Sequence, residues 1–147
     1  MTKLTQTTLN TLFKTGAPTT KAVLFYGQDE GFVNECRMRL TEAVVPDKDP
    51  FRLVELTPAK IKDDPSLLSA EANALSLMGG RRVITVRGAD NHFTAVLKDF
   101  LPSYTGDALI IVTAASLKTK DSLPILFADS PDLAVFPCYS DEGEALK

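Results

Sequence analysis

Ala22-Val23-Leu24-Phe25-Tyr26 is a continuous apolar run, and Ala108-Leu109-Ile110-Ile111-Val112-Thr113 is a second, stronger one. A strand with one wet face alternates polar and apolar residues. A short run without alternation, rich in β-branched and aromatic side chains, suits a strand covered on both faces. Such strands need helices above and below, and the rest of the chain supplies helical periods. Leu9, Leu12 and Phe13 share one face of a short helix ended by Gly16 and Pro18. Phe32, Val33, Cys36, Leu40 and Val44 line one side of a helix running to Val45 and stopped by Pro46. Strand-like and helix-like segments alternate along the chain. This predicts an α/β fold of three layers, a mostly parallel sheet with helices on both faces.

The remaining elements follow the same rules. Phe51–Glu55 reads as a second strand, and Thr57 can cap a turn that starts at Pro58. Asp64-Pro65-Ser66 opens a helix whose apolar residues are Leu67, Leu68, Ala70, Ala74 and Leu75, with Asp64 as N-cap. Arg82–Val86 is a third strand, Ala95–Phe100 a helix ending before Pro102, Lys118–Phe127 another helix, and Ala134–Pro137 a last short strand. Ser140-Asp141-Glu142-Gly143-Glu144 has a cap and acidic residues where the helix dipole favours them.

The 147 residues fit one domain, and with 44% hydrophobic and 24% charged residues they can build a core without metal or disulfide staples. A net charge of −3 argues against a domain that grips nucleic acid along its whole surface. Arg81-Arg82 with Arg87 is the one cluster that could form a local basic patch. Cys36 and Cys138 are read as small buried hydrophobes with free thiols. Met1–Asn10 is polar, and no apolar run approaches the roughly 20 residues that span a bilayer. The expectation is a cytoplasmic protein with no membrane contact.

The turn after the first strand is the natural place for a phosphate in a parallel sheet. A phosphate loop reads G-x-x-x-x-G-K-[ST]. Here the turn is Gly27-Gln28-Asp29-Glu30-Gly31-Phe32, with no lysine, no suitably placed hydroxyl and two carboxylates where phosphate would sit. Like charges at 4 Å repel by about 4 kcal/mol at an effective dielectric near 20. The turn therefore reads as a capped helix start, and no nucleotide, dinucleotide or other cofactor is expected. The stretch Thr113-Ala114-Ala115-Ser116-Leu117-Lys118 after the fourth strand lies where nucleotide-switch folds place a polar residue that senses a γ-phosphate, a role idle without a phosphate loop, and Ser116 reads as a helix cap. His92, the single histidine, reads as a solvent-facing loop residue. Asp63-Asp64 and the Glu142, Glu144 pair read as helix starts. No Cys/His cluster has metal-ligand spacing, and no catalytic residue is assigned. Leu77 and Met78 fall at a helix end beside Gly79-Gly80. Their period favours inward packing, and the sharper reading is an exposed apolar tip for a partner.

Three stretches carry a family resemblance. Val23-Leu24-Phe25-Tyr26-Gly27-Gln28-Asp29 is similar to an apolar strand followed by Gly-x-Asp and a long helix. Ala74-Leu75-Ser76-Leu77-Met78-Gly79-Gly80-Arg81-Arg82-Val83-Ile84 is similar to an SLF-small-small-R-R/Q stretch leading into a strand. Phe136-Pro137-Cys138-Tyr139-Ser140-Asp141-Glu142 is similar to an aromatic link into a following domain. In this order the chain resembles the delta subunit of the bacterial DNA polymerase III clamp loader.

The resemblance implies a P-loop-NTPase/AAA+-like domain over residues 1–140 with a degenerate nucleotide site, and residues 141–147 as the start of a further helical domain cut short. It implies a non-catalytic subunit of a DNA-directed DNA polymerase holoenzyme that binds the sliding clamp (beta subunit) and helps open it. Leu77 and Met78, with Ser76 before them, would enter an apolar groove on the clamp, Met78 standing where the family commonly has an aromatic residue. The other loader subunits would be met through parts of the protein beyond this chain, and DNA only within the complex. The alternative is a nucleotide-dependent α/β enzyme with an atypical phosphate loop. A receiver-like domain is set aside because Arg87 follows the third strand where an acidic cluster is needed.

Overall fold

The computed structural model describes residues 6–16, 20–46, 52–64, 66–73, 81–104, 108–115, 117, 120–130 and 132–138. In chain order these form α1 (Gln6–Thr15), β1 (Ala22–Tyr26), α2 (Glu30–Val44), β2 (Leu53–Leu56), α3 (Pro58–Asp63), α4 (Leu67–Asn73), β3 (Val83–Val86), α5 (Phe93–Phe100), a 3-10 turn at Leu101–Ser103, β4 (Leu109–Ala114), α6 (Ser122–Asp129) and β5 (Leu133–Pro137). The sheet order is β2-β3-β4-β1-β5. Every pairing is parallel, with Ala22 beside both Ile110 and Leu133, and Leu53 beside Val83.

That order dictates the layers. The step from β1 to β2 crosses the sheet one way, and β2 to β3, β3 to β4 and β4 to β5 all run the other way. Right-handed crossovers then place α2 on one face and α3 to α6 on the other. The two cores agree. Ala22, Leu24, Tyr26, Ile84 and Ile110 pack with Ile61, Leu68, Phe93, Leu97 and Phe127. Val23, Phe25, Val83, Leu109 and Ile111 pack with Leu9, Val33, Cys36 and Leu40. Successive residues of one strand serve opposite layers, so β1, β3 and β4 are buried at every position. The edges are marked as edges should be: Glu55 of β2 is exposed, and β5 ends on Pro137, which cannot donate to a ladder.

The expected α/β architecture is thus present, with local corrections. β2 starts at Leu53 and β4 runs one residue past Thr113, to Ala114. Gly31 lies inside α2 rather than in the turn. In α4, Ala72 is buried and Ala70 exposed. Asp63-Asp64 closes α3 instead of opening a helix, although Asp64 does accept from the Ser66 amide and hydroxyl at 3.3 and 2.7 Å. α5 begins at Phe93, two residues early, because the Asp90 carboxylate accepts the His92 amide and turns the chain there. α6 begins at Ser122. Its Asp121 N-cap makes no side-chain cap bond; Asn91 Oδ1 accepts from the Leu123 amide and the Ser122 hydroxyl instead, at 3.3 and 3.1 Å. Thr57 caps α3 as expected, accepting the Lys60 amide. Ser116 and residues 139–147 lie outside the described residues.

Candidate functional site

Adjacent strands β1 and β4 send their chains in opposite directions, into α2 and toward α6 on opposite faces. This switch point opens a crevice at the carboxyl ends of the strands, where such sheets bind ligands. The chain fills its nucleotide-loop side with its own atoms. Gly27 follows β1 at φ +152°, and a Cβ there would sit 2.0 Å from the Cys138 carbonyl oxygen. The Cys138 amide donates to Tyr26 O at 2.5 Å and the Gly27 amide to Ala114 O at 3.2 Å, tying β5, β1 and β4 together at this corner. One residue further, Asp29 is the N-cap of α2, its carboxylate accepting the Phe32 amide at 3.1 Å. The helix terminus that could hold a phosphate holds a side-chain carboxylate.

Beneath the same corner Cys36 and Cys138 meet, buried and free, with their sulfurs 3.9 Å apart. The Cys138 thiol donates to Cys36, and this bond, then burial, pushes its pKa upward. The expectation of two buried thiols holds; their adjacency was not visible in the sequence.

Beside the capped turn a groove of about 650 Å³ remains between α2 and the strand ends. Asn34, Arg37, Glu55, Arg87 and Thr113 line it, with Glu30 at its rim. Arg87 pairs with Glu55 at 3.1 Å in an exposed contact. Arg37 gives its Nε and Nη2 hydrogens to Asn34 Oδ1. Burial, and next the charge of Arg87, hold the Arg37 pKa below its ordinary value, while Glu55 opposes them.

The three arginines that could have formed a local basic patch do not come together. Arg81 and Arg82 precede β3 and Arg87 follows it, so the three divide between opposite ends of the strand. Arg81 donates to Gly16 O at 2.9 Å and Thr20 O at 2.7 Å, on the α1 side of the sheet. Arg82 is buried on the other side, bonded to the Glu71 carbonyl and, at 3.2 Å, to its carboxylate. The last carbonyls of a helix have no partner within it. For α4, Arg82 takes Glu71 O, and the Tyr104 hydroxyl lies 3.4 Å from Ala72 O and 3.0 Å from Ala108 O. These two arginines hold the chain where it re-enters the sheet after residues 74–80. Ser76, Leu77 and Met78 fall within that interval and lie outside the described residues. His92 is on the surface, as expected, its ring 3.4 Å from Asp90. Among the described residues no group of three His, Cys, Asp or Glu side chains could hold a metal ion, and no helix is long and apolar enough to cross a membrane.

Solved structures share this arrangement. The Bacillus subtilis DNA clamp loader delta protein superposes with a TM-score of 0.66 over 89% of this chain and 42% of its own, at 16% identity. The chain shares the fold of the matched part of this protein. A DNA polymerase III gamma subunit-related protein from Thermotoga maritima matches with a TM-score of 0.63 over 94% of this chain and 47% of its own, also at 16% identity. This chain therefore spans less than half the length of either neighbour. No protein-family model matches the sequence, and no curated protein does.

Proposed function

We propose that the chain is a sliding-clamp-binding domain of a DNA polymerase III clamp loader, acting without catalysis. The observation that carries this reading is the fold shared with the Bacillus clamp loader delta protein. The capped and closed turn at Gly27–Asp29 supports a domain that keeps the architecture of a nucleotide-binding protein while using it for another purpose. In this reading Leu77 and Met78, following Ser76, enter an apolar groove on the clamp and help open the ring. Arg81 and Arg82 brace the strand that follows them rather than touching DNA. Contacts with other loader subunits belong to the rest of the protein, and DNA is met only within the assembled loader, in the cytoplasm.

Two buried anchors of this size contribute roughly 1.5–3 kcal/mol each, so a few such residues can dominate an interface. The double variant Leu77→Ala, Met78→Ala should weaken binding to an immobilised sliding clamp by about a hundredfold or more, with its thermal unfolding unchanged. Surface plasmon resonance reads the first and circular dichroism the second. Clamp binding at the unaltered affinity by the double variant would remove the anchor assignment. Micromolar magnesium-ATP binding by calorimetry would instead favour the nucleotide-dependent enzyme.

A further inference from the structure

The groove between α2 and the carboxyl ends of β1 to β4 is not accounted for by clamp binding. It holds two guanidinium groups, and it also holds Thr113, a polar side chain only 6% exposed. Among the described residues the Thr113 hydroxyl has no hydrogen-bond partner; the bond recorded for this residue is made by its backbone carbonyl, which accepts from the Ala89 amide at 2.9 Å. A buried hydroxyl without a partner is unfavourable, and Thr113 lines a cavity large enough to admit a ligand. Strand alternation explains its aim. Leu109 and Ile111 of β4 pack toward α2, and Thr113 is the next residue of that row.

Arg37 reaches the groove from the other side. Its described partner is the neutral side chain of Asn34, not a carboxylate, so its charge is uncompensated by direct pairing and its Nη1 hydrogens remain available. Arg87 contributes a second guanidinium whose pairing with Glu55 is solvent-exposed and therefore weak. The acidic groups set the limit on what can enter. Glu55 and Glu30 line the groove and Asp29 caps the adjacent helix. With these three carboxylates near two guanidinium groups the groove repels a polyphosphate, and what Arg37 and Thr113 can hold is an oxyanion of low charge.

We propose that this groove is an oxyanion site that holds a single carboxylate or phosphoryl group between Arg37, Arg87 and the Thr113 hydroxyl. Arg37 supplies the charge and a planar fork matched to two oxygens. Thr113 donates the hydrogen bond that otherwise has no acceptor. The site sits at the sheet's switch point, yet it uses α2's flank rather than its N-terminus, whose amide is taken by Asp29.

The test is thermal unfolding of the 147-residue chain titrated with inorganic phosphate, with acetate and with magnesium-ATP, each against chloride at matched ionic strength. Phosphate, acetate or both should raise the midpoint saturably; acetate alone marks a carboxylate site and phosphate alone a phosphoryl site. Arg37→Met should raise the half-saturating concentration about tenfold or more, the equivalent of one charge-assisted hydrogen bond. Thr113→Val keeps the side-chain shape and should weaken binding severalfold; it carries the test on its own if Arg37→Met does not fold. The proposal is overturned if neither anion acts beyond chloride, if the variants saturate like the parent, or if magnesium-ATP binds more tightly than phosphate.

Discussion

Gly27→Ala separates two meanings of the glycine that follows β1. A glycine kept for a phosphate would tolerate a methyl group without loss of the fold. A glycine kept for close packing would not. The structure argues for packing. The new Cβ would lie 2.0 Å from Cys138 O, 2.6 Å from Cys138 C and 3.2 Å from Cys138 Cα, all backbone atoms. They cannot withdraw freely, because the Cys138 amide is bonded to Tyr26 O and its side chain is wedged against Cys36. The φ of +152° adds its own strain for any L residue.

Three terms set the magnitude. An unfavourable φ costs of order 1–3 kcal/mol, the lost Cys138–Tyr26 hydrogen bond about 1 kcal/mol, and partial exposure of the Cys138 side chain about 1 kcal/mol. The total of about 3–5 kcal/mol is a large part of the roughly 5–15 kcal/mol that holds a domain together. Urea denaturation followed by circular dichroism measures it directly. The substitution should lower the midpoint sharply with an unchanged slope. A loss below about 1 kcal/mol, the level of an ordinary surface substitution, would refute the packing argument and return Gly27 to a ligand role.

Further outcomes follow from the same geometry. Arg82→Met keeps the buried stem but leaves the Glu71 carbonyl and carboxylate without their donor; it should cost about 1.5–3 kcal/mol in urea denaturation, more than Arg87→Met in its exposed pair. Asn91→Ala removes the acceptor at the start of α6 and should cost about 1 kcal/mol, with amide exchange speeding first at Leu123. Cys138 has a folded-state pKa raised above the ordinary 9.0. Its contribution is therefore fully present below about pH 9 and is lost as pH rises beyond that, by up to about 1.4 kcal/mol per pH unit. Denaturation curves of Cys138→Ala should show a shallower alkaline decline than the parent.

What could be read in advance was what local chemistry decides. Ala22–Tyr26 announced a strand buried on both faces because nothing in it tolerates water. Thr57-Pro58 announced a helix start because a hydroxyl cap and a proline at N1 both act within one turn. Long-range partners were invisible. α6 is capped by Asn91, a residue 31 positions away from Ser122, so no pattern around Lys118 could locate its start. Arg81-Arg82 read as a patch because sequence adjacency resembles spatial adjacency. In an extended chain neighbours point to opposite faces, and here they bond to α1-side carbonyls and to α4 respectively. The turn at Gly27 was legible as a capped helix start, but the reason it needs glycine comes from Cys138 at the far end of the chain. Arg37 passed unnoticed because a lone arginine in an amphipathic helix carries no signal until the strand ends assemble opposite it.

The parallel sheet gives the chain two separate ends on which to work. β1 to β4 finish at the crevice, where Gly27, Arg87 and Thr113 gather. Arg81 and Arg82, which follow residues 74–80, stand at the opposite, amino end of β3. The four residues of that strand place the ends roughly 13 Å apart along its axis, with Arg81 bonded to Gly16 O, Arg82 to Glu71 O and Arg87 to Glu55. Substitutions this far apart combine additively. Arg82→Met at the amino end and Arg37→Met at the crevice should therefore together lower stability by the sum of their separate losses, read by urea denaturation. A measured coupling energy above about 0.5 kcal/mol would mean that the sheet transmits between its ends.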